Sequence, residues 1–278
     1  MGSEVNRTMG STNGGRKPEE DTRKALRGTP PGSKETEQET MRLQVYLARC
    51  GVGSRRGCET YIHEGRVAVN GEIIRERGHK VRSEDRVTFD GRELLPEQTM
   101  RYIALNKPPK YLCSNYDPEG RPLAINLLSP HFEQRLYNVG RLDFMSEGLI
   151  LFTNDGNFAL KAGHPSSNIE KEYLVEPAGP LDAQRREQLR SFLETAKRSV
   201  LIEGERYTIN SYRLRDDGRF SITLTEGKNR EIRRLCAQID QPLSRLVRLR
   251  IGPVQLGELE AGKHRHLSPE EVRWFLDR

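Results

Sequence analysis

The chain has 278 residues, 46 Lys and Arg against 40 Asp and Glu, a net charge of +6 and 34% hydrophobic residues, which predicts one or two soluble domains with a large wetted surface. No run approaches the roughly 18 apolar residues of a membrane span, and no charged start leads into an apolar stretch. An integral membrane protein and a cleaved secretory leader are therefore not expected.

Residues 1–41 carry balanced charge, no aromatic residue and little Leu, Ile or Val. Such a segment buries too little surface to offset its ordering entropy, and a disordered tail is expected there. Residues 42–98 read as a small domain. Leu43, Leu47 and Cys50 lie on one face of a short helix that Gly51 and Gly53 interrupt. Ser54 then caps a second helix containing Cys58 and Ile62, with Gly65 as its stop. Val67 and Val69 lead into Asn70-Gly71, a strong hairpin signal. Every cation from residue 42 to 92 except Lys80 is an arginine. Arg55 and Arg56 fall in the first turn of the second helix, where free backbone N–H groups already favour phosphate. This stretch, with Gly53-Ser54-Arg55-Arg56 and Gly65-Arg66-Val67-x-Val69-Asn70-Gly71, resembles the S4-type RNA-binding domain. That resemblance implies binding of structured RNA through the helix pair.

Residues 99–278 carry the larger core. Strands are expected at Tyr102 to Leu105, Leu149 to Phe152 and Glu172 to Glu176, and a half-buried one at Phe220 to Leu224, where Ser221 and Thr223 alternate outward. Helices are expected after Asp182, along the stripe Ile232, Leu235, Cys236 and Ile239, and after Ser268-Pro269, where Glu271 completes a capping box. Strands and helices mix without a βαβ rhythm. The expected class is α+β: a small helix-pair-plus-hairpin domain followed by a larger, mainly antiparallel mixed-sheet catalytic domain.

Two stretches are dense in chemistry. In residues 140–156, Asp143, Glu147 and Asp155 compete as reactive carboxylates, and spacing alone makes Asp143 a turn aspartate. In residues 225–235, Lys228, Arg230, Arg233 and Arg234 crowd a helix start, where cations oppose the helix dipole and suit an anionic partner. Cys50, Cys58, Cys113 and Cys236 form no C-x-x-C pair, and His264 and His266 have no Cys nearby. No metal is expected, and reduced thiols in a cytoplasmic protein are. No glycine-rich phosphate loop of the G-x-G-x-x-G or P-loop type occurs.

Taken in order, Leu105-Asn106-Lys107-Pro108, Gly140-Arg141-Leu142-Asp143, Glu170-Lys171-x-Tyr173, Glu226-Gly227-Lys228-Asn229-Arg230-x-Ile232-Arg233-Arg234 and Arg248-x-x-Ile251-Gly252-Pro253 resemble the RsuA family of ribosomal RNA pseudouridine synthases, nearest its RluB type. The resemblance implies isomerisation of a uridine in ribosomal RNA, leaning toward the large subunit. It assigns Asp143 as the catalytic aspartate, Tyr173 as the ring packed on the flipped base and Arg233 as the aspartate's salt-bridge partner. It also links Arg141 to the RNA around the flipped base, and the clustered cations Arg55, Arg56, Lys228, Arg230 and Arg234 are expected to contact RNA as well. An apolar residue between 246 and 251 should line the base pocket. A monomer without small-molecule cofactor and without membrane contact is expected. Desolvation raises a carboxylate pKa and a neighbouring arginine lowers it by about 1–3 units, which is why this chemistry wants the two together. The alternative, a non-enzymatic ribosome-assembly factor on the same RNA-binding module, predicts tight binding without product.

Overall fold

The computed structural model describes residues 40–278. Most of the tail expected over residues 1–41 lies outside the described residues. Met41–Arg42 is instead a short strand, with Met41 opposite Val81 and Arg42 opposite Lys80.

Helices Leu43–Arg49 and Arg55–His63 follow. The Ser54 hydroxyl accepts the Gly57 N–H at 3.0 Å, so the predicted cap forms. The hairpin forms too: Val67–Val69 pairs with Glu72–Ile73, and Asn70 (φ 52°) and Gly71 (φ 90°) supply the two left-handed positions of a type I′ turn. A four-stranded sheet runs Glu72–Ile73, Val67–Val69, Val87–Phe89, Arg92–Glu93. Leu43, Leu47, Cys58, Ile62, Val67 and Val87 bury a core between it and the helix pair. Ile73 stays largely exposed, at 62%.

Val200–Ile202 and Glu205–Tyr207 pair as a separate two-stranded ribbon, and nine other strands form one sheet. Its main order is Ser211–Leu214, Phe220–Leu224, Lys171–Pro177, Leu243–Ile251, Glu147–Thr153, Tyr102–Lys107, His264–His266. All pairings are antiparallel except Leu243–Ile251 against Glu147–Thr153, so the α+β expectation holds. Cores form on both faces. One holds Ile103, Leu105, Phe152, Val175, Phe220 and Leu235; the other holds Leu149, Leu151, Phe158, Val247 and Phe275. Phe220–Leu224 differs from the half-buried reading, because Ser221 and Thr223 are buried as well. As an interior strand it sets these short side chains beside Leu174 and Arg213, and beside Glu172, on its neighbours. The predicted caps form locally: Asp182 accepts from Arg185, and Ser268 with Glu271 makes the full capping box.

One irregularity positions the site. Along a single edge, the Glu147–Thr153 strand has two successive neighbours. Leu243–Ile251 runs parallel beside Glu147 and Gly148, and Tyr137–Val139 runs antiparallel beside residues 151–153. The segment 140–146 crosses from one neighbour's end to the strand's own start. Gly148 makes the parallel contact possible. Its φ is 96°, and a Cβ there would collide with the backbone carbonyl and amide of Arg248. The crossing segment is pinned by the fully buried Lys107, whose ammonium donates to the carbonyls of Pro108 (2.8 Å), Tyr111 (3.0 Å) and Phe144 (3.4 Å). The Lys110 N–H reaches the same Phe144 carbonyl at 2.7 Å. Burial pushes the Lys107 ammonium down to about 8.

Two outcomes follow from this joint. Gly148→Ala should lose about 2–4 kcal/mol of stability through strain and collision, measured by urea unfolding. Lys107 releases its proton near pH 8 when folded but near 10.5 when unfolded. Between those values the unfolded state holds more protons, so stability contributed by this site rises with pH. Denaturant titrations across that window should show wild type gaining on Lys107→Met as pH increases.

Candidate active site

The crossing segment presents its carboxylate at a cleft. The Asp143 carbonyl accepts the Ser146 N–H at 3.1 Å, closing a turn, and the Leu142 N–H donates to Cys113 Sγ at 3.3 Å. Leu142 is thereby buried and Asp143 faces out. A cavity of about 70 Å³ is lined by Asp143, Arg141, Ser146, Tyr173, Leu224, Lys228, Arg230, Glu231, Ile232 and Leu246, among others. Arg233 Nε stands 4.0 Å from Asp143 Oδ2, with the two side chains 16% and 27% exposed. The aspartate is therefore half-buried at a cleft wall rather than enclosed. Burial and the charge of Arg230 push the Arg233 guanidinium down, and Asp143 pulls it back.

The three competing carboxylates now separate. Asp155 caps the helix Gly156–Gly163, accepting from the N–H groups of Asn157 and Phe158, and takes the Tyr102 hydroxyl at 2.9 Å. Glu147 receives a two-pronged contact from Arg245, with Nη2 at 2.8 Å and Nε at 3.0 Å. Only Asp143 is left facing the cleft.

The predicted residues fall into three groups. Asp143, Tyr173, Arg141, Lys228 and Arg230 meet at the cavity, and Arg233 approaches it through Asp143. Lys228 arrives with its ammonium committed: it reaches Glu226 at 2.7 Å and the Arg206 carbonyl, and lies 5.1 Å from the Tyr207 ring centre. Arg234 is not at the cleft. The next position along the helix Glu231–Ala237 turns it away, to Glu203 at 3.2 Å and the Tyr207 hydroxyl at 3.1 Å. Arg55 and Arg56 are exposed on the first turn of their helix. Arg55 lines a separate groove of about 660 Å³ with Arg49, Arg135 and Tyr137. Leu246 is the pocket-lining apolar residue that the sequence left open between 246 and 251.

Arg248 was missed as a site residue. It is 3% exposed, yet its side chain ties three parts of the site together. Its Nε donates to the Leu149 carbonyl at 2.7 Å, where the two neighbouring strands part. Its Nη1 reaches the Arg141 carbonyl at 3.3 Å and the Tyr173 hydroxyl at 3.4 Å. The one available signal was its place at the head of the Arg248-x-x-Ile251-Gly252-Pro253 motif, since alternation along the strand only groups it with Ser244, Leu246 and Arg250. Four buried side-chain atoms among the described residues lack a hydrogen-bond partner: Ser146 Oγ, Glu231 Oε1, Arg233 Nε and Arg248 Nη2. All four belong to this site. Unpaired buried polar atoms are uncommon and costly, and their concentration marks a place prepared for a polar ligand.

Comparison with known proteins identifies the family. A family model for RNA pseudouridylate synthase matches residues 101–238, and an S4 domain model matches residues 41–87. A protein of Borreliella burgdorferi, named as an uncharacterized RNA pseudouridine synthase, is 39% identical over 226 residues, covering 80% of this chain and 88% of its own. The ribosomal large subunit pseudouridine synthase B of Bacillus subtilis is 33% identical over 234 residues, covering 84% and 94%. Its namesake in Pseudomonas aeruginosa is 38% identical over 241 residues, of which this chain spans 60% of the longer relative and uses 83% of itself. A crystal structure described as a pseudouridylate synthase superposes with a TM-score of 0.60 at 29% identity, covering 84% of this chain and 99% of that one. With the cleft, its aspartate–arginine pair and these relatives together, the chain belongs to the RNA pseudouridine synthases and carries an S4 domain ahead of the synthase fold.

Proposed function

We propose that the protein isomerises one uridine of large-subunit ribosomal RNA to pseudouridine, with Asp143 as the catalytic carboxylate. The observation that carries this reading is the Asp143–Arg233 approach of 4.0 Å at a cleft that Tyr173 and Leu246 also line. The large-subunit assignment rests on the names of the Bacillus and Pseudomonas relatives.

The reaction breaks the bond between ribose C1′ and uracil N1, turns the ring and joins C1′ to C5. The C5 proton leaves and N1 ends protonated, so atoms and electrons balance without an oxidant or a donor, and no cofactor is required. The uridine must first leave its stack, at a cost of a few kcal/mol. Stacking on an aromatic ring returns about 1–3 kcal/mol per base. Tyr173 supplies that ring, buried at 8% exposure, with its hydroxyl oriented by Arg248. Leu246 and Ile232 give the pocket apolar walls. Arg233 sets a guanidinium charge beside the carboxylate, which is placed for attack or for electrostatic support of the separating sugar and base. Ser146 Oγ and Glu231 Oε1, both unpartnered, offer the everted base hydrogen-bond partners. Phe144 and Met145 follow Asp143 with exposed apolar surface, 36% and 49%, suited to the face of a displaced base. Arg55 and Arg56, on the capped S4-type helix, contact the phosphates of the folded RNA. Arg141 and Arg230 do so at the cleft mouth. We further infer a cytoplasmic, monomeric enzyme; among the described residues no helix is long and apolar enough to cross a membrane.

Pseudouridines mapped in ribosomal RNA from cells with and without the gene should differ at one large-subunit position. Asp143→Asn should lower product formation by at least about 10³-fold while RNA affinity stays within a few-fold of wild type. Comparable turnover by that variant would remove Asp143 from the reaction. Arg233→Met should slow turnover by on the order of 10²-fold. Because the pair is partly exposed, the loss in stability should stay near about 1 kcal/mol, read from a urea melt.

A further inference from the structure

Behind the ring of Tyr173 lies a second cavity, of about 110 Å³, more enclosed than the first. Its wall includes Arg248, Lys171, Arg141, Gly140, Thr225 and Gly227. Lys171 stands two residues before Tyr173 on the same strand, and Arg248 lies opposite Tyr173 on the next. All three side chains therefore share one face of the sheet.

The cavity is cationic and unbalanced. Neither Lys171 nor Arg248 has an ion-pair partner among the described residues. Among the described residues the one carboxylate on the wall, Glu226, is drawn away to Lys228 at 2.7 Å. Glu231 attracts Lys171 from outside it, and burial raises that carboxyl toward its neutral form. The Lys171 ammonium gives two of its three donors to the carbonyls of Ile169 (3.1 Å) and Thr225 (3.2 Å), leaving one free. Arg248 leaves Nη2 without a partner although the residue is 3% exposed. Burial, and then the charge of Arg248, pushes Lys171 down to about 8. A buried and a half-buried cation side by side are unfavourable until an anion joins them.

We propose that this second cavity binds a phosphodiester of the RNA strand, next to the uridine held at Asp143. The inference rests on the functional reading above and adds a subsite to it. The two cavities share Arg141, Tyr173 and Gly227 in their walls. A group held in the second is therefore within one nucleotide linkage of a base held in the first. Gly140 and Gly227 let the strand backbone approach closely, because neither presents a side chain. Lys171 offers a point charge and Arg248 a directional N–H, a combination suited to phosphate oxygens. The exposed Arg141 can close over the mouth.

Two measurements on the full chain test this. Inorganic phosphate, added at constant ionic strength, should raise the melting temperature of wild type but not of Lys171→Gln. Equal shifts in the two proteins, or none in either, overturn the anion site. In the second, a short ribosomal RNA fragment that the protein binds is made with single uncharged methylphosphonate linkages. One linkage beside the uridine should weaken binding to wild type by about tenfold and leave binding to Lys171→Gln unchanged. The salt dependence of RNA affinity should also fall by about 0.7–0.9 in logarithmic slope for Lys171→Gln. A scan in which no linkage distinguishes the two proteins overturns the assignment to the RNA strand, even where free phosphate binds. Product formation on unmodified RNA is scored separately. Product with no phosphate shift and no sensitive linkage defeats the subsite alone. A phosphate shift and a sensitive linkage without product defeat the isomerase reading alone.

Discussion

The contact on which the site depends is the one between Arg248 and the Leu149 carbonyl. A strand with two successive neighbours on one edge has a gap in its ladder, and the backbone groups in that gap have no strand partner. A buried carbonyl left there unpaired costs about 1–3 kcal/mol. Here the guanidinium fills the gap. Because it is planar and forked, it also reaches the Arg141 carbonyl and the Tyr173 hydroxyl. A defect of sheet topology is thereby turned into a joint that holds the aspartate-bearing segment against the aromatic ring. Gly148 is part of the same joint, since only a residue without Cβ allows the parallel strand to come close enough for Arg248 to reach across.

The two buried cations of this region divide the work. Lys107 is fully enclosed and its three carbonyl contacts use all its donors, so it acts as a rigid floor under the crossing segment. Arg248 is nearly as enclosed but incompletely satisfied. The same contrast separates Asp155 and Glu147, both held by protein partners, from Asp143, whose one ion pair among the described residues stands at the outer limit of a salt bridge. Saturated groups build the frame. Unsaturated ones mark where a ligand completes the hydrogen bonding, and they gather within one cleft and its neighbour.

Features set by a few adjacent residues were legible in the sequence. Ser54, Asp182 and Ser268 cap as read, because capping is decided within four residues. Asn70-Gly71 turns as read, because the turn needs only two left-handed positions. The Asp143, Tyr173 and Arg233 cluster was reached through family resemblance. Spacing alone could not separate Asp143 from Glu147, since what occupies Glu147 is Arg245, 98 residues away; Asp155 is taken by a local helix cap that the sequence reading did not assign, and by Tyr102, 53 residues away. Arg248 and Lys107 were invisible as site residues for the same reason: their partners are set by the order of strands. Arg234 stands away from the cleft because adjacent helical residues point about 100° apart, and one step beyond Arg233 brings it to Tyr207 and Glu203.

The groove holding Arg55 connects to this chemistry through one strand. Its wall contains Arg49 and Arg55 from the S4 portion and Arg135, Tyr137, Asn154 and Asn157 from the synthase portion. Tyr137–Val139 is also the strand that delivers the crossing segment to the cleft, ending three residues before Leu142 and four before Asp143. Arg49, Arg55 and Arg135 make no ion pair among the described residues, so phosphates settling in the groove would meet no competing carboxylate. RNA docked there would press on a strand whose other end is fixed by the Leu151 pairing and by the Arg248 contact to Arg141. RNA bound in that groove and the placement of Asp143 would therefore bear on one short element, a physical means of holding a bound strand and this aspartate in a common frame.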